Sequence, residues 1–248
     1  MDSRKKTIRR KKGIYEKYVK RPVDLILALT AMVILLPVIC VIGILVRLKL
    51  GSPVIFKQKR PGLYERIFTM YKFRTMTDEK DEGGKLLPDE DRLTAFGKLL
   101  RETSCDELLE LINIVKGDLS WCGPRPQLVR DMVFMSNRQR QRHQVRPGLT
   151  GLAQVNGRNQ ITWEEKLEWD LKYIEDGITF WGDVKILLKT VRKVFEKADI
   201  HGEGLATAED YGDYLLRTGQ VERETYDRLQ IGAEEILGGA GNRYVRKG

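Results

Sequence analysis

A single uncharged apolar segment constrains the fold of this chain more than any other feature. Residues 25–46 (LILALTAMVILLPVICVIGILV) form a run of 22 residues without a charged side chain. As a helix, with about 1.5 Å of rise per residue, the run would extend about 33 Å, enough to cross the hydrocarbon core of a bilayer. It is longer than the apolar part of a typical signal peptide, and no small-residue cleavage site follows it. The segment therefore predicts a membrane-associated protein.

The flanks of this segment bear on its topology. Ten Lys or Arg residues and one acid lie between Arg4 and Arg21, and five more cations precede Glu65 on the other side. Cytoplasmic flanks of membrane helices are rich in Lys and Arg, so both ends favour the cytoplasmic side. Pro37, in the middle of the run, removes one helix hydrogen bond and predicts a kink. A re-entrant helix that enters one leaflet, bends at Pro37 and returns satisfies both flanks; a straight span is the alternative.

Charge and cysteine content limit the other possible functions. The formal net charge is +9, and a basic stretch such as residues 4–21 can bind nucleic acid, an anionic membrane surface or only water. Nucleic-acid binding does not account for the apolar segment that follows, so we expect membrane phospholipid as the partner and no nucleic acid. The three cysteines share no metal-ligand spacing, and only two histidines are present, which disfavours a zinc site or a disulfide framework.

An acidic pair marks the candidate catalytic centre. Asp106 and Glu107 begin a predicted amphipathic helix that ends at Gly117, and Arg101 and a Gly-Pro-Arg-Pro turn containing Arg125 flank it. Two carboxylates beside arginines are poor core residues and reasonable groups for a phosphate site. The alternative is structural, because Ser104 and Glu107 have the spacing of a capping box.

The rest of the chain predicts a small hairpin and several helices. Residues 53–56 and 66–74 predict two strands around Pro61-Gly62, with Lys72 in the second strand. We predict helices over 94–100, 127–144, 163–174 and 180–198, and helical stretches at 208–217 and 221–237. The apolar and basic stripes of 180–198 fit a helix in the membrane interface, or equally a surface helix packed on a core. Residues 145–159 form a loop rich in Gly, amides and Arg, a weak signal for phosphate or nucleoside binding.

These motifs together resemble the bacterial sugar transferase family, specifically its small monotopic phosphoglycosyl transferases. The resemblance covers roughly residues 20–211, and it rests on short motifs that match in order. After the Pro-broken apolar helix come K-F-R-T-M at 72–76, S-C-D-E-L at 104–108, K-G-D-L-S at 116–120, G-P-R-P at 123–126, R-P-G-L-T-G-L-A-Q-V-N-G-R-N at 146–159 and E-G-L-A-T at 203–207. The closest resemblance is to the compact branch that initiates N-linked glycan and glycoconjugate assembly.

The resemblance implies a fold, a reaction and a set of residues. The fold would be α/β and mostly helical with a small β-hairpin, divided into a basic tail (1–20), a re-entrant membrane helix (21–50), a cytosolic catalytic domain with interfacial helices (51–198) and a C-terminal extension (199–248). The reaction would transfer a sugar-1-phosphate from a UDP-sugar, an N-acetylated amino sugar by resemblance, to polyprenol phosphate at the cytoplasmic face of the bacterial inner membrane, with Mg²⁺ as cofactor. Asp106 would be the nucleophile and Glu107 its acidic partner, both near the metal. The remaining candidates, for substrate and phosphate binding, are Lys72, Arg101, Arg125, Pro126, Arg146, Gln154, Asn156 and Arg158.

The carboxylate pair suits this chemistry on physical grounds. A carboxylate can attack a diphosphate only when cations offset the charge repulsion, as Mg²⁺ and arginines do. A carboxylate nucleophile would also divide the transfer between a soluble donor and a lipid acceptor into two easier steps. Two other functions stay open: a non-catalytic membrane adaptor that holds anionic lipids, and a nucleic-acid binder that uses the basic tail.

Overall fold

The computed structural model describes residues 12–157, 161–196 and 209–239 as a mostly helical protein with two small sheets. The helices are α1 (Lys20–Leu50), α2 (Asp89–Arg92), α3 (Ala95–Glu102), α4 (Glu110–Lys116), α5 (Val129–Met132), α6 (Leu152–Val155), α7 (Trp163–Glu175), α8 (Phe180–Glu196), α9 (Tyr211–Arg217) and α10 (Arg223–Gly238). The strands are β1 (Ile55–Pro61), β2 (Ile67–Phe73), β3 (Ser120–Cys122) and β4 (Gly148–Thr150). A π-helical segment precedes α1 at Tyr15–Val19, and 3-10 helices cover Leu63–Glu65, Cys105–Leu109 and Gln139–Gln144.

Helix α1 packs along the protein by one narrow stripe. Its buried residues lie four positions apart in two groups, Lys20, Asp24 and Ala28 at one end and Ile42, Val46 and Leu50 at the other. Between the two groups the stripe continues through residues that are only half-buried: Ala31, Met32, Leu35 and Ile39. Ala28 contacts the apolar residues of α4, while Val46 and Leu50 pack in a cluster with Phe73. The opposite side of α1 is apolar and exposed: Ile26, Leu29, Val33, Ile34, Leu36, Val41, Ile44 and Leu48. The helix Tyr15–Leu50 is long and apolar enough to cross a membrane.

The predicted kink residue lies inside this helix. α1 continues through Pro37, whose ring is on the exposed side. A proline removes one backbone donor from a helix, but the helix does not end here. The re-entrant path and the kink therefore stay predictions.

The hairpin and the helices that follow it are close to the predicted ones. β1 and β2 pair antiparallel, and β1 starts and ends later than expected, because the ladder extends from Ile55 to Pro61. Thr94 caps α3 by accepting a hydrogen bond from the Gly97 N–H, at 3.0 Å. Gly117 ends α4 in the left-handed conformation, with φ of 89°.

Two motifs that are distant in sequence meet in the second sheet. β3 and β4 pair in parallel, which places the Gly123–Pro126 turn beside the loop that begins at Arg146. The Gly148 N–H donates to the Pro124 carbonyl at 3.0 Å. A Cβ at Gly148 would lie 2.2 Å from the Gly123 nitrogen, so only glycine permits this approach.

The single helix predicted over 127–144 is wrong. The structure has the short helix α5, a turn, and then a 3-10 helix over Gln139–Gln144. Ser136 and Gln139 exchange side-chain to backbone hydrogen bonds at 2.8 and 3.3 Å, and such local bonds compete with a continuous helix.

The later helices were predicted within a few residues, and α8 packs on the core by one side, as one of the two alternatives for it predicts. Ile186 of α8 is buried, whereas Trp181, Leu188 and Val191 are exposed on the outer side. Residues 197 and 198 of the predicted helix lie outside the described residues. α9 and α10 pack against the domain: Tyr211 joins a cluster with residues of α7, and Ala233 joins one with residues of α5.

Candidate active site

The acidic pair lies on the 3-10 helix Cys105–Leu109, between α3 and α4. Ser104 adopts a left-handed conformation with φ of 54°, which costs a non-glycine residue about 1–2 kcal/mol. Its side chain makes no capping hydrogen bond. The capping-box interpretation of Ser104 and Glu107 is therefore wrong, because the Glu107 carboxylate pairs with cations instead.

Glu107 is held by two cations from different parts of the chain. Its Oε1 accepts from Lys72 Nζ of β2 at 2.7 Å and also from Arg125 Nη2 of the Gly123–Pro126 turn. Burial alone would raise the pKa of Glu107, but Arg125 and Lys72 together lower it far below its usual range. Glu107 is thus an ionised anchor that fixes the positions of both cations.

Asp106 differs from its neighbour. It is buried, and burial followed by the charge of Glu107 raises its pKa to about 6, although Lys72, Arg125 and Arg101 act in the opposite direction. Arg101 lies close enough for its charge to act on Asp106, and its Nε donates to Thr75 Oγ1 at 3.0 Å. The charges of three cations therefore act on Asp106, but burial and Glu107 outweigh their effect on its pKa.

A third carboxylate, Glu110, belongs to this site and was missed by the sequence analysis. It is 1% exposed, and its Oε1 lies 3.2 Å from Lys72 Nζ. Burial and the charge of Glu107 raise its pKa to about 7. The signal was available, because Glu110 follows Glu107 by three residues and so shares its side of the helix.

The backbone around these carboxylates is fixed by a buried amide. Asn113 is fully buried; its Oδ1 accepts from the Tyr71 N–H at 3.1 Å, and its Nδ2 donates to the Thr69 carbonyl at 2.7 Å. These bonds attach α4 to the edge of β2, so Lys72 and Glu107 are held in register.

Other predicted substrate-binding residues lie elsewhere. Arg146 Nε donates to the Gly117 carbonyl at 3.0 Å, at the opposite end of α4 from the acidic pair. Gln154 Nε2 donates to the Leu149 carbonyl at 3.2 Å, and Asn156 Nδ2 to the Leu152 carbonyl at 2.8 Å. Pro126 is buried beside Arg125. Arg158 and the 203–207 motif lie outside the described residues. Of the predicted site residues, the structure brings together these five: Lys72, Arg101, Asp106, Glu107 and Arg125.

The donor set is compatible with one Mg²⁺ ion. Within the three described ranges, no group of three or more His, Cys, Asp or Glu residues is arranged to hold a metal ion. Mg²⁺, however, is commonly bound through one or two carboxylates together with substrate phosphates and water. Asp106 and Glu107 supply two adjacent carboxylates of this kind.

Comparison with known proteins identifies the family. The family model described as "Bacterial sugar transferase" matches residues 15–197. The uncharacterized sugar transferase EpsL of Bacillus subtilis is 55% identical over 166 residues, which cover 67% of this chain and 82% of that protein. The UDP-glucose:undecaprenyl-phosphate glucose-1-phosphate transferase of Escherichia coli is 36% identical over 190 residues, covering 71% of this chain and 40% of that protein. The UDP-N-acetylgalactosamine-undecaprenyl-phosphate N-acetylgalactosaminephosphotransferase of Aeromonas hydrophila is 36% identical over 186 residues, covering 71% and 44%.

The matched regions include the candidate site. The chain spans most of the first relative and less than half the length of the other two. The family model covers α1, the acidic pair and both loops joined by β3 and β4. The family model covers well over half of the residues of this chain, which therefore belongs to the bacterial sugar transferase family.

Proposed function

We propose that this chain transfers a sugar-1-phosphate from a UDP-sugar to polyprenol phosphate (undecaprenyl phosphate in bacteria) and releases UMP. The observation that carries the proposal is a buried carboxylate, Asp106, directly beside Glu107, whose own carboxylate pairs with Lys72 and Arg125. The names of two relatives specify UDP-sugar donors and undecaprenyl phosphate acceptors, which supports the same reaction class here.

The reaction would proceed in two displacements at phosphorus. In the first, an Asp106 oxygen forms a bond to the β-phosphorus of the UDP-sugar, and the bond from that phosphorus to the bridging oxygen breaks. UMP leaves with the electron pair, and the sugar phosphate is attached to Asp106 as an acyl phosphate. In the second, a phosphate oxygen of the polyprenol phosphate attacks the same phosphorus, and Asp106 leaves as a carboxylate. The product is a polyprenyl diphosphate-linked sugar, so UMP departs before the lipid needs the site.

The surrounding residues would lower the repulsion between Asp106 and the diphosphate. Arg125 and Lys72 are anchored on Glu107, and each has further N–H groups with which to bind phosphate oxygens. Arg101 is placed for the same role on the α3 side of the pair. A Mg²⁺ ion bound by Asp106 and Glu107 would add positive charge at the diphosphate.

The exposed apolar surface supports a monotopic position at the membrane. α1 contacts the catalytic domain from Lys20 to Leu50. A helix that crossed a bilayer could not keep that stripe in contact with a domain on one side. The outer face of α1, together with Trp181 and Leu188 of α8, would therefore lie in the cytoplasmic leaflet of the inner membrane, with α1 re-entrant at Pro37.

The topology has a direct test. We expect a membrane-impermeant thiol reagent added outside intact cells to leave both Lys12→Cys and Ser52→Cys unmodified. The same reagent should label both positions in inverted vesicles. Labelling of either position from the outside would contradict the re-entrant topology.

The reaction is tested by UMP release from a panel of UDP-sugars that includes N-acetylated amino sugars. We expect one or a few donors to release UMP when Mg²⁺ and undecaprenyl phosphate are present. Asp106→Asn should abolish release, while the variant stays folded and membrane-bound. A membrane adaptor would release no UMP with any donor, and full turnover by Asp106→Asn would contradict the proposed nucleophile.

A further inference from the structure

One buried arginine, Arg142, and one half-buried arginine, Arg60, hold consecutive backbone carbonyls in the loop that carries Arg125. Arg142 Nη2 donates to the Arg125 carbonyl at 2.6 Å, and Arg60 Nη1 donates to the Pro126 carbonyl at 3.2 Å. Arg142 is 1% exposed, and it is the largest fully buried side chain among the described residues. The sequence analysis singled out neither arginine, because Arg60 lies in a strand and Arg142 lies in a run of cations.

Each of these guanidinium groups is oriented by its own partner. Arg142 Nε and Nη2 donate to Asp170 Oδ2 of α7 at 2.9 and 2.5 Å, and Asp170 is 2% exposed. Arg60 Nε and Nη2 donate to Gln58 Oε1 of the same strand at 3.1 and 2.6 Å. Arg142 is therefore held by α7 and Arg60 by β1, and both arginines hold the loop that carries Arg125.

Stability alone does not explain why Arg142 and Asp170 are buried as an ion pair. Removing two charges from water costs about as much free energy as their attraction returns, so two apolar residues of similar volume would stabilise the fold to the same extent. What an apolar pair could not do is donate to the Arg125 carbonyl. Holding the Arg125 carbonyl fixes the peptide plane that directly follows the Arg125 Cα, and holding the Pro126 carbonyl fixes the plane after it. Both restrict the direction of the Arg125 side chain, which ends on Glu107.

We propose that Arg142, oriented by Asp170, and Arg60 are positioning residues that aim Arg125 at the acidic pair. The geometry that carries this proposal is the chain of contacts from Asp170 to Arg142, to the Arg125 carbonyl, and from the Arg125 side chain to Glu107. The inference rests on the proposed function, because it assigns a role in the transfer to residues that contact no substrate. Burial and the charge of neighbouring Arg125 lower the pKa of Arg60 to about 10, in agreement with their proximity.

The test removes the carbonyl donor without leaving a buried charge unpaired. In the double variant Arg142→Met with Asp170→Leu, we expect kcat for UMP release to fall about 10- to 100-fold, as small misplacements of catalytic groups do. KM for the donor should change by less than about twofold, since the loop still binds phosphate. Arg142→Lys offers a second route: it retains a charge beside Asp170 but cannot reach both partners in the same fork geometry, and it should lose kcat in the same range.

A matched control lies on the same two elements. Arg138 precedes the same 3-10 helix and pairs with Glu168 and Glu175 of α7, but at the exposed surface. Arg138→Gln should leave kcat and KM unchanged. An equal loss in the control would mean that any loosening of this helix affects turnover, and it would overturn the specific role of Arg142.

A double-mutant cycle with Arg125→Ala separates positioning from general stability. The rates are measured with enzyme in excess over donor, so that slow variants still give a rate. If Arg142 acts through Arg125, its removal should cause no further loss once Arg125 is alanine. Multiplicative losses would refute the positioning role. That outcome differs from failure of the proposed function, in which the unmodified enzyme itself would release no UMP.

Discussion

The two ends of α4 both have paired cations, but they use them differently. At its N-terminal end, Lys72 and Arg125 contact the carboxylate of Glu107. At its C-terminal end, Arg21 donates to the carbonyls of Ile114 and Val115 at 2.6 and 2.8 Å, and Arg146 donates to the carbonyl of Gly117. One end gathers side-chain charge of both signs, whereas the other pairs side-chain cations with backbone carbonyls.

This difference suggests a role in catalysis for the N-terminal end of α4 and a role in stability for its C-terminal end. Carbonyls at a helix C-terminus have no partners within the helix, and the helix dipole is negative there, so Arg21 and Arg146 complete and stabilise that end. Arg21 also ties α1 to α4, because it is the second residue of α1. The cations at the N-terminal end instead lie around a carboxylate whose negative charge is only partly offset. We therefore expect substitutions at the first end to change catalysis and substitutions at the second end to change stability.

Among the cations at the two ends of α4, the largest effect is expected at Arg125. In Arg125→Ala, Glu107 keeps Lys72, but the site loses a guanidinium beside the developing phosphate charge. Loss of one such group typically lowers kcat about 10²- to 10³-fold. UMP release from the preferred donor measures this change, and thermal unfolding serves as the control for folding. A loss smaller than about threefold would contradict the distinction between the two ends.

A second effect is expected on the pH profile. In the proposed mechanism Asp106 attacks as a carboxylate, so its protonation would inactivate the enzyme. Because its pKa is raised to about 6 and that of nearby Glu110 to about 7, kcat/KM for UMP release should fall about tenfold per pH unit below this range. Arg125→Ala should shift the acid limb to higher pH, since Arg125 lowers the pKa of Asp106. The limb should not shift in Arg146→Gln.

The contribution of Asp106 to the free energy of unfolding should rise as the pH falls through the range in which activity is lost. In the folded protein the pKa of Asp106 lies above the usual value of 3.8 for an aspartate, so its ionisation destabilises the fold above pH 6, and this penalty disappears as the pH falls toward 4. Activity lost between pH 7 and 5 should therefore return on reversal of the pH. Unfolding over that interval, followed by circular dichroism, would argue against titration of the site as the cause.

The smallest catalytic effect is expected at Arg146. Arg146→Gln removes a cation from the C-terminal end of α4 and should lower the free energy of unfolding by about 1–2 kcal/mol. Turnover should stay within about threefold of the unmodified chain. A loss comparable to that in Arg125→Ala would show that Arg146 contacts substrate, as the sequence motif predicts, in spite of its place at the Gly117 carbonyl.

The parts of the structure that sequence predicted are those set by local pattern. The helix capped at Thr94, the stop at Gly117 and the hairpin around Pro61-Gly62 follow from periodicity and turn chemistry, and all three are present. The helix over 127–144 was wrong because side-chain to backbone bonds at Ser136 and Gln139 interrupt it. Apolar spacing does not reveal such competition.

The parts of the site that sequence missed depend on tertiary contacts. Glu110 resembles an ordinary polar residue of an amphipathic helix until Lys72 of β2 is placed against it. Arg142 belongs to a cationic stretch that would be assigned to solvent, yet the meeting of α7 with the Gly123–Pro126 loop buries it. The motifs identified Asp106, Glu107 and Arg125 correctly as neighbours, but they could not distinguish Arg146, which lies at the other end of α4.

The central claim is that Asp106 becomes covalently attached to a sugar phosphate. It is tested by intact-mass analysis of the enzyme mixed with its UDP-sugar donor and Mg²⁺, in the absence of polyprenol phosphate. We expect a mass increase equal to the sugar phosphate, located on the peptide that contains Asp106, absent in Asp106→Asn and removed by addition of polyprenol phosphate. UMP release without any adduct, or an adduct that persists in Asp106→Asn, would contradict the account.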